Sequence, residues 1–181
     1  MKIRQTIFLL PLFLLAGCAS AGGSQSRDLD LKELCTEEQV FQYADFEWGT
    51  DSEQLFKQSS LKFDEKDLRQ CDENRTKAYE SKEKFSLENA ESNMDLEFSD
   101  GQLSQVSFTF DIEQDANTWI QKEVDELNSL YGGGIATGLG NQIYQWQGEQ
   151  DTVLQLTAFT EGDESATVIL SVASMEYSIG S

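Results

Sequence analysis

The chain has 181 residues and a formal net charge of −20 at pH 7, with 33 acidic side chains against 13 basic ones. A surface this acidic repels nucleic acids and anionic lipid head groups, which excludes binding to a phosphate backbone. The chain contains no histidine, and this excludes a nucleophile that is activated by a histidine base. Any charged partner is therefore expected to be basic or cationic.

The first residues follow the order of a signal peptide. Lys2 and Arg4 precede an apolar run from Ile7 to Leu15, which is far shorter than the roughly 20 residues that cross a bilayer as a helix. Leu15, Ala16, Gly17 and Cys18 resemble the bacterial lipobox. The resemblance implies removal of residues 1–17, attachment of lipid to Cys18 and acylation, as with palmitate, of the new amino terminus. The alternative is an ordinary secretory signal in which Cys18 has no role.

Residues 18–27 are small or polar and predict a flexible tether with a span of roughly 15–18 Å. Ala19 and Ser20 differ from the aspartate that retains enteric-type lipoproteins in the inner membrane. The resemblance therefore implies the outer membrane of a Gram-negative envelope, with the protein on its periplasmic face. Residues 28–181 then form a single domain, which is long enough for one hydrophobic core. Without residues 1–17 the chain has 11 basic and 33 acidic side chains, a net charge of −22.

Two cysteines remain once Cys18 is assigned to lipid. Cys35 and Cys71 would lie in an oxidising compartment, where an even pair predicts a disulfide. Such a bond contributes on the order of 4 kcal/mol in the chain-entropy model. A metal site with two thiolates is the alternative, but the chain offers neither a CxxC pair nor a histidine. We expect no metal, no other cofactor and no catalytic residue.

The helical patterns are clearest in two places. Thr50 and Glu53 fit a capping box, which predicts a short helix with Thr50 as its N-cap. A stripe of apolar residues predicts a second helix over residues 115–131, with Glu123 facing water. The highly charged segment 63–83 is predicted as a loop with short extended pieces.

Alternating apolar residues predict strands over 94–98 and 106–110. We expect a three-residue loop at 99–101 between them, because a two-residue loop would place the two apolar sets on opposite faces. Three further strands are predicted around 143–146, 154–158 and 168–172. The predicted class is α+β, an antiparallel meander with two or so helices packed on one face.

A scattered set of residues resembles small envelope lipoproteins of the BamE type and the related β-lactamase-inhibitor-protein-like folds: Trp48, Gly49, Thr50, Glu53, Gln54, Leu55, Tyr131, Gly132 and Trp146. The resemblance implies helices on one face of an antiparallel sheet, and a role in binding or assembly. The first hypothesis is thus a non-enzymatic, lipid-anchored module that contacts an envelope protein or serves envelope maintenance. The alternative is a binder of a small cationic ligand or divalent ion, with acidic residues converging on one pocket.

Overall fold

The computed structural model describes residues 26–67, 76–137, 142–162 and 164–178. These residues form one mixed sheet and a few helices, so the chain is of the α+β class. The helices are a 3-10 helix (Leu31–Leu34), α1 (Ser52–Gln58), α2 (Ala116–Tyr131) and α3 (Met175–Ser178). The strands are β1 (Arg27–Asp28), β2 (Phe63–Lys66), β3 (Thr76–Leu87), β4 (Ala90–Ser99), β5 (Gln102–Ile112), β6 (Ile135–Thr137), β7 (Gln142–Gln147), β8 (Thr152–Glu161) and β9 (Ser165–Ser174).

The strands of the sheet lie in the order β1-β3-β4-β5-β9-β8-β7-β6, and β2 also pairs with β3. The β1–β3 pair is parallel, and the other pairs are antiparallel. Strand β5 pairs with β9 and not with β6, so the order departs there from a simple run of sequence neighbours. Strands β1 and β6 consequently lie at opposite ends of this order.

A cluster of aromatic rings packs in the core on one face of the sheet. The ring of Phe108 makes edge contacts with Tyr43 and Phe85, at centroid distances of 5.7 and 5.3 Å. These three side chains are at most 2% exposed. Such edge contacts add to the stability that comes from burying the rings. Because strand residues alternate between faces, the positions beside Phe108, such as exposed Thr109, point to the opposite face.

Helix α2 confirms the second predicted helix and its end at Gly132, where φ is +85°. The start of α1 differs from the prediction, since the N-cap is Asp51 and not Thr50. The carboxylate of Asp51 accepts a hydrogen bond from the Gln54 amide at 2.9 Å. Thr50 cannot take this role, because its carbonyl accepts a 2.9 Å bond from the Leu103 amide, which holds it beside the sheet.

The predicted loop between β4 and β5 is wrong in length. Asp100 and Gly101 both have positive φ and form a two-residue turn, so that Ser99 pairs with Gln102. A shift of register follows, and Ser104 is the extra residue of the bulge. The two apolar sets still share one face, because a bulge moves the register by one residue.

Strand β3 is longer than the sequence predicts. Twelve residues form it, although segment 63–83 was expected to be mostly loop. A register shift between Glu80 and Lys84 interrupts the alternation of faces, which hides the strand from a search for period two. Residues 68–75 of that segment lie outside the described residues.

Candidate functional site

The most exposed large apolar side chain that the structure describes is that of Ile135, in the β6 edge, which we define as Ile135–Thr137. All three residues are exposed, and the Ile135 side chain keeps 63% of its surface in water. Ile135 pairs with Gln145, which pairs in turn with Gln155. Directly paired residues share a face, so Ile135 lies on the face opposite the core.

The β6 edge also differs from the rest of the chain in charge. No charged residue occurs between Glu126 and Glu149. This stretch includes both β6 and β7, in a chain where 25% of residues are charged. Neither β6 nor β7 therefore carries a charged side chain, so these two strands themselves repel no acidic neighbour.

Asn128, near the end of α2, fixes the start of β6. Its Oδ1 atom accepts hydrogen bonds from the Gly134 amide at 2.8 Å and from Trp146 Nε1 at 3.1 Å. Gly134 lies against the Trp146 ring, and a Cβ there would come within 2.6 Å of a ring atom. The glycine thus allows the close approach that joins α2, β6 and β7.

A second feature is an acidic cavity of about 360 Å³ between β1, the β3–β4 turn and α2. Four carboxylates line it, together with two uncharged polar side chains: Asp28, Asp30, Glu88 and Glu126, with Ser86 and Asn89. Lys122 pairs with Glu88 at its border. The surplus of negative charge suits a cationic ligand.

Glu123 lies near this cavity but does not face water as predicted. It is 1% exposed, and neither carboxylate oxygen has a hydrogen-bond partner among the described residues. Burial raises the pKa of Glu123 to about 7, and the charges of Glu126 and Glu88 add to the rise. The prediction failed because position 123 falls on the same helical stripe as Ile120 and Leu127, so helix geometry places even a carboxylate inside.

A third cavity, of about 280 Å³, lies between α1 and the segment before it. Tyr43 lines it and has a buried hydroxyl without a hydrogen-bond partner in the described part of the chain. Burial raises the pKa of Tyr43 to about 12, so this hydroxyl stays protonated at neutral pH.

The residues predicted as sites are only partly described. Cys18 and Cys71 lie outside the described residues. Cys35 is a free thiol in the structure, half-buried against the core, and its Sγ donates to the Thr36 carbonyl at 3.5 Å. The pairing of Cys35 with Cys71 remains a prediction.

Across the described ranges, no three acidic or cysteine side chains converge closely enough to hold a metal ion. No helix in the described part of the chain is both long and apolar enough to cross a membrane. Comparison with protein-family models, curated proteins and solved structures found no match for this chain.

Sequence reasoning missed the β6 edge altogether. Three residues are too few for an alternating pattern, and glycines flank them in the sequence, which is typical of a loop. The signal that could have found it is the lack of charge between Glu126 and Glu149, which stands out in a chain this acidic.

Proposed function

We propose that the chain is a lipid-anchored protein of the outer membrane that faces the periplasm and acts without catalysis. It binds an envelope protein through the β6 edge. The observation that carries this proposal is the uncharged, exposed strand at the end of the sheet, with Ile135 63% exposed. Strand edges with free backbone groups are templates for the addition of another strand.

The position of the edge supports the proposal. The predicted tether leads into β1, while β6 lies at the other end of the strand order. Seven strand spacings of about 4.8 Å separate the two, which is about 34 Å in a sheet without curvature. A lipid on Cys18 would hold the β1 end at the membrane and leave the β6 edge free for a partner.

The proposal includes the finer part of the predicted fold, with helices on one face only. Helix α2 packs against β8 and β9, and its buried residues face the core. The opposite face carries exposed residues such as Thr109 and Phe159, the latter 43% exposed. The proposed binding surface is the β6 edge and not the middle of this outer face.

The test is crosslinking of the tagged, lipidated protein in its own envelope, followed by purification under denaturing conditions. We expect one recurrent partner, which is lost when Ile135→Lys places a charge on the β6 edge. Thr109→Lys adds the same charge at an exposed position in the middle of the sheet and should keep the partner. Equal capture by all three proteins would exclude the β6 edge as the binding surface.

The acidic cavity favours a second candidate function, the binding of a small organic cation. Its four carboxylates surround about 360 Å³, which is large for a bare ion and suits an extended polyamine. The probe is spermidine, added to the purified protein in a thermal-shift assay. We expect a rise in Tm that Glu126→Gln reduces and Glu113→Gln, at an exposed position outside the cavity, leaves unchanged. Equal rises for both variants would indicate general charge screening.

A further inference from the structure

We infer that the partner at the β6 edge is a second copy of this chain, paired antiparallel through Ile135–Thr137. This inference rests on the proposed function and names the partner of the same surface. Two copies that each carry a net charge of −22 after removal of residues 1–17 repel one another over most of their surfaces. The uncharged stretch between Glu126 and Glu149 is where they can meet without bringing like charges together.

The residues of the β6 edge are not of the types that prevent the edge strands of two proteins from pairing. Natural edges carry charged side chains or proline, or are covered by another element. Ile135, Ala136 and Thr137 are exposed and contain neither charge nor proline. The strand has three residues, and this shortness limits the number of hydrogen bonds that pairing can add.

The strand is also self-complementary under a twofold axis. Antiparallel pairing of the whole strand places Ala136 opposite Ala136 of the second copy, and Ile135 opposite Thr137. Directly opposed residues contact each other, so the exposed Ile135 side chain would be covered by Thr137 of the second copy. The joined sheet would have one β1 end on each side, and each end leads to one predicted tether.

A contact this small is weak in free solution. Confining both copies to one membrane surface raises their effective concentration and can make a weak contact persistent. We therefore expect the anchored protein to form a dimer, and the Cys18→Ser form to be a monomer at micromolar concentration.

The test uses Ala136→Cys in the full, lipidated chain. Opposed residues in an antiparallel pair have Cα atoms about 4.5–5.5 Å apart, which lies inside the range of about 4.4–6.8 Å that a disulfide needs. Mild oxidation of membranes should therefore give a covalent dimer of twice the chain mass. Thr109→Cys, at an exposed position on a central strand, and the parent chain should give no such dimer. Adding Ile135→Lys to Ala136→Cys should lower the dimer yield at least tenfold.

A thiol-to-lysine crosslinker attached at Ala136→Cys separates this inference from the proposed function. A product with a different envelope protein, without a disulfide dimer, would overturn the second-copy inference and leave the binding surface in place. No product of either kind would overturn both. Equal dimer yields from Ala136→Cys and Thr109→Cys would also overturn the inference, because random collision explains them.

Discussion

Glu123→Gln tests whether the buried carboxylate on α2 destabilises the folded protein when it ionises. The substitution keeps the size and shape of the side chain but removes its ability to ionise. Burial raises the pKa of Glu123 from 4.5 to about 7 in the folded protein. The folded state therefore binds this proton more tightly than the unfolded state, and the stability that the group contributes falls as the pH rises from about 4.5 to about 7.

The magnitude follows from the pKa difference. At about 1.4 kcal/mol per pKa unit, ionisation of Glu123 costs the folded protein at most about 3 kcal/mol above pH 7. We expect Glu123→Gln to raise the free energy of unfolding by about 1–3 kcal/mol at pH 8 and to leave it nearly unchanged at pH 4.5. For a domain of this size, each kcal/mol corresponds to about 2–4 °C in Tm.

The assay is urea unfolding of the purified Cys18→Ser form at several pH values between 4.5 and 8. Glu113→Gln is the matched control, because it removes a carboxylate at an exposed position. We expect the control to follow the parent curve within about 0.5 kcal/mol. If Glu123→Gln does not raise the free energy of unfolding at pH 8, or raises it equally at both ends of the pH range, ionisation of a buried Glu123 does not destabilise the folded protein.

Three further outcomes are expected. Phe108→Ala removes a ring that is 1% exposed and should lower the free energy of unfolding, measured with urea, by about 3–5 kcal/mol. Thr109→Ala, on the outer face, should lower it by less than about 1 kcal/mol. Asn128→Ala leaves the Gly134 amide without its side-chain acceptor and should lower the free energy of unfolding by about 1–2 kcal/mol. It should also speed hydrogen exchange at β6, and unchanged exchange there would contradict the role of Asn128. Cys18→Ser should move the protein from the membrane to the soluble periplasmic fraction, and continued membrane fractionation would contradict the lipid anchor.

The sequence predicted the elements whose apolar periodicity is uninterrupted. Helix α2 has its stripe over four turns, and the paired strands around Leu96 and Val106 alternate strictly near their centres. The failures occur where one extra residue changes the period. The bulge at Ser104 keeps the apolar residues of β4 and β5 on one face although the turn between them has two residues. The register shift after Glu80 interrupts the alternating pattern of β3. A bulge adds one residue to one strand and so breaks the period of two on which the prediction of strands depends.

The candidate sites were harder to predict than the fold. Glu123 was placed outside because it is charged, although its position on the helix places it inside. The acidic cavity joins Asp28, Glu88 and Glu126, which are far apart in the chain, and only the tertiary structure brings them together. The β6 edge becomes visible only from the strand order, in which β6 is the last of the described strands and pairs with β7 alone.

Site-specific photocrosslinking in the native envelope tests whether the anchored protein binds a partner through its β6 edge. A photoreactive amino acid at position 137 lies on the β6 edge, and the same amino acid at position 109 lies on a central strand of the outer face. We predict a discrete crosslinked product from position 137 in the lipidated protein, and none from position 109 or from the Cys18→Ser form. Equal products from both positions, or none from position 137, would contradict a lipid-anchored module that binds through its β6 edge.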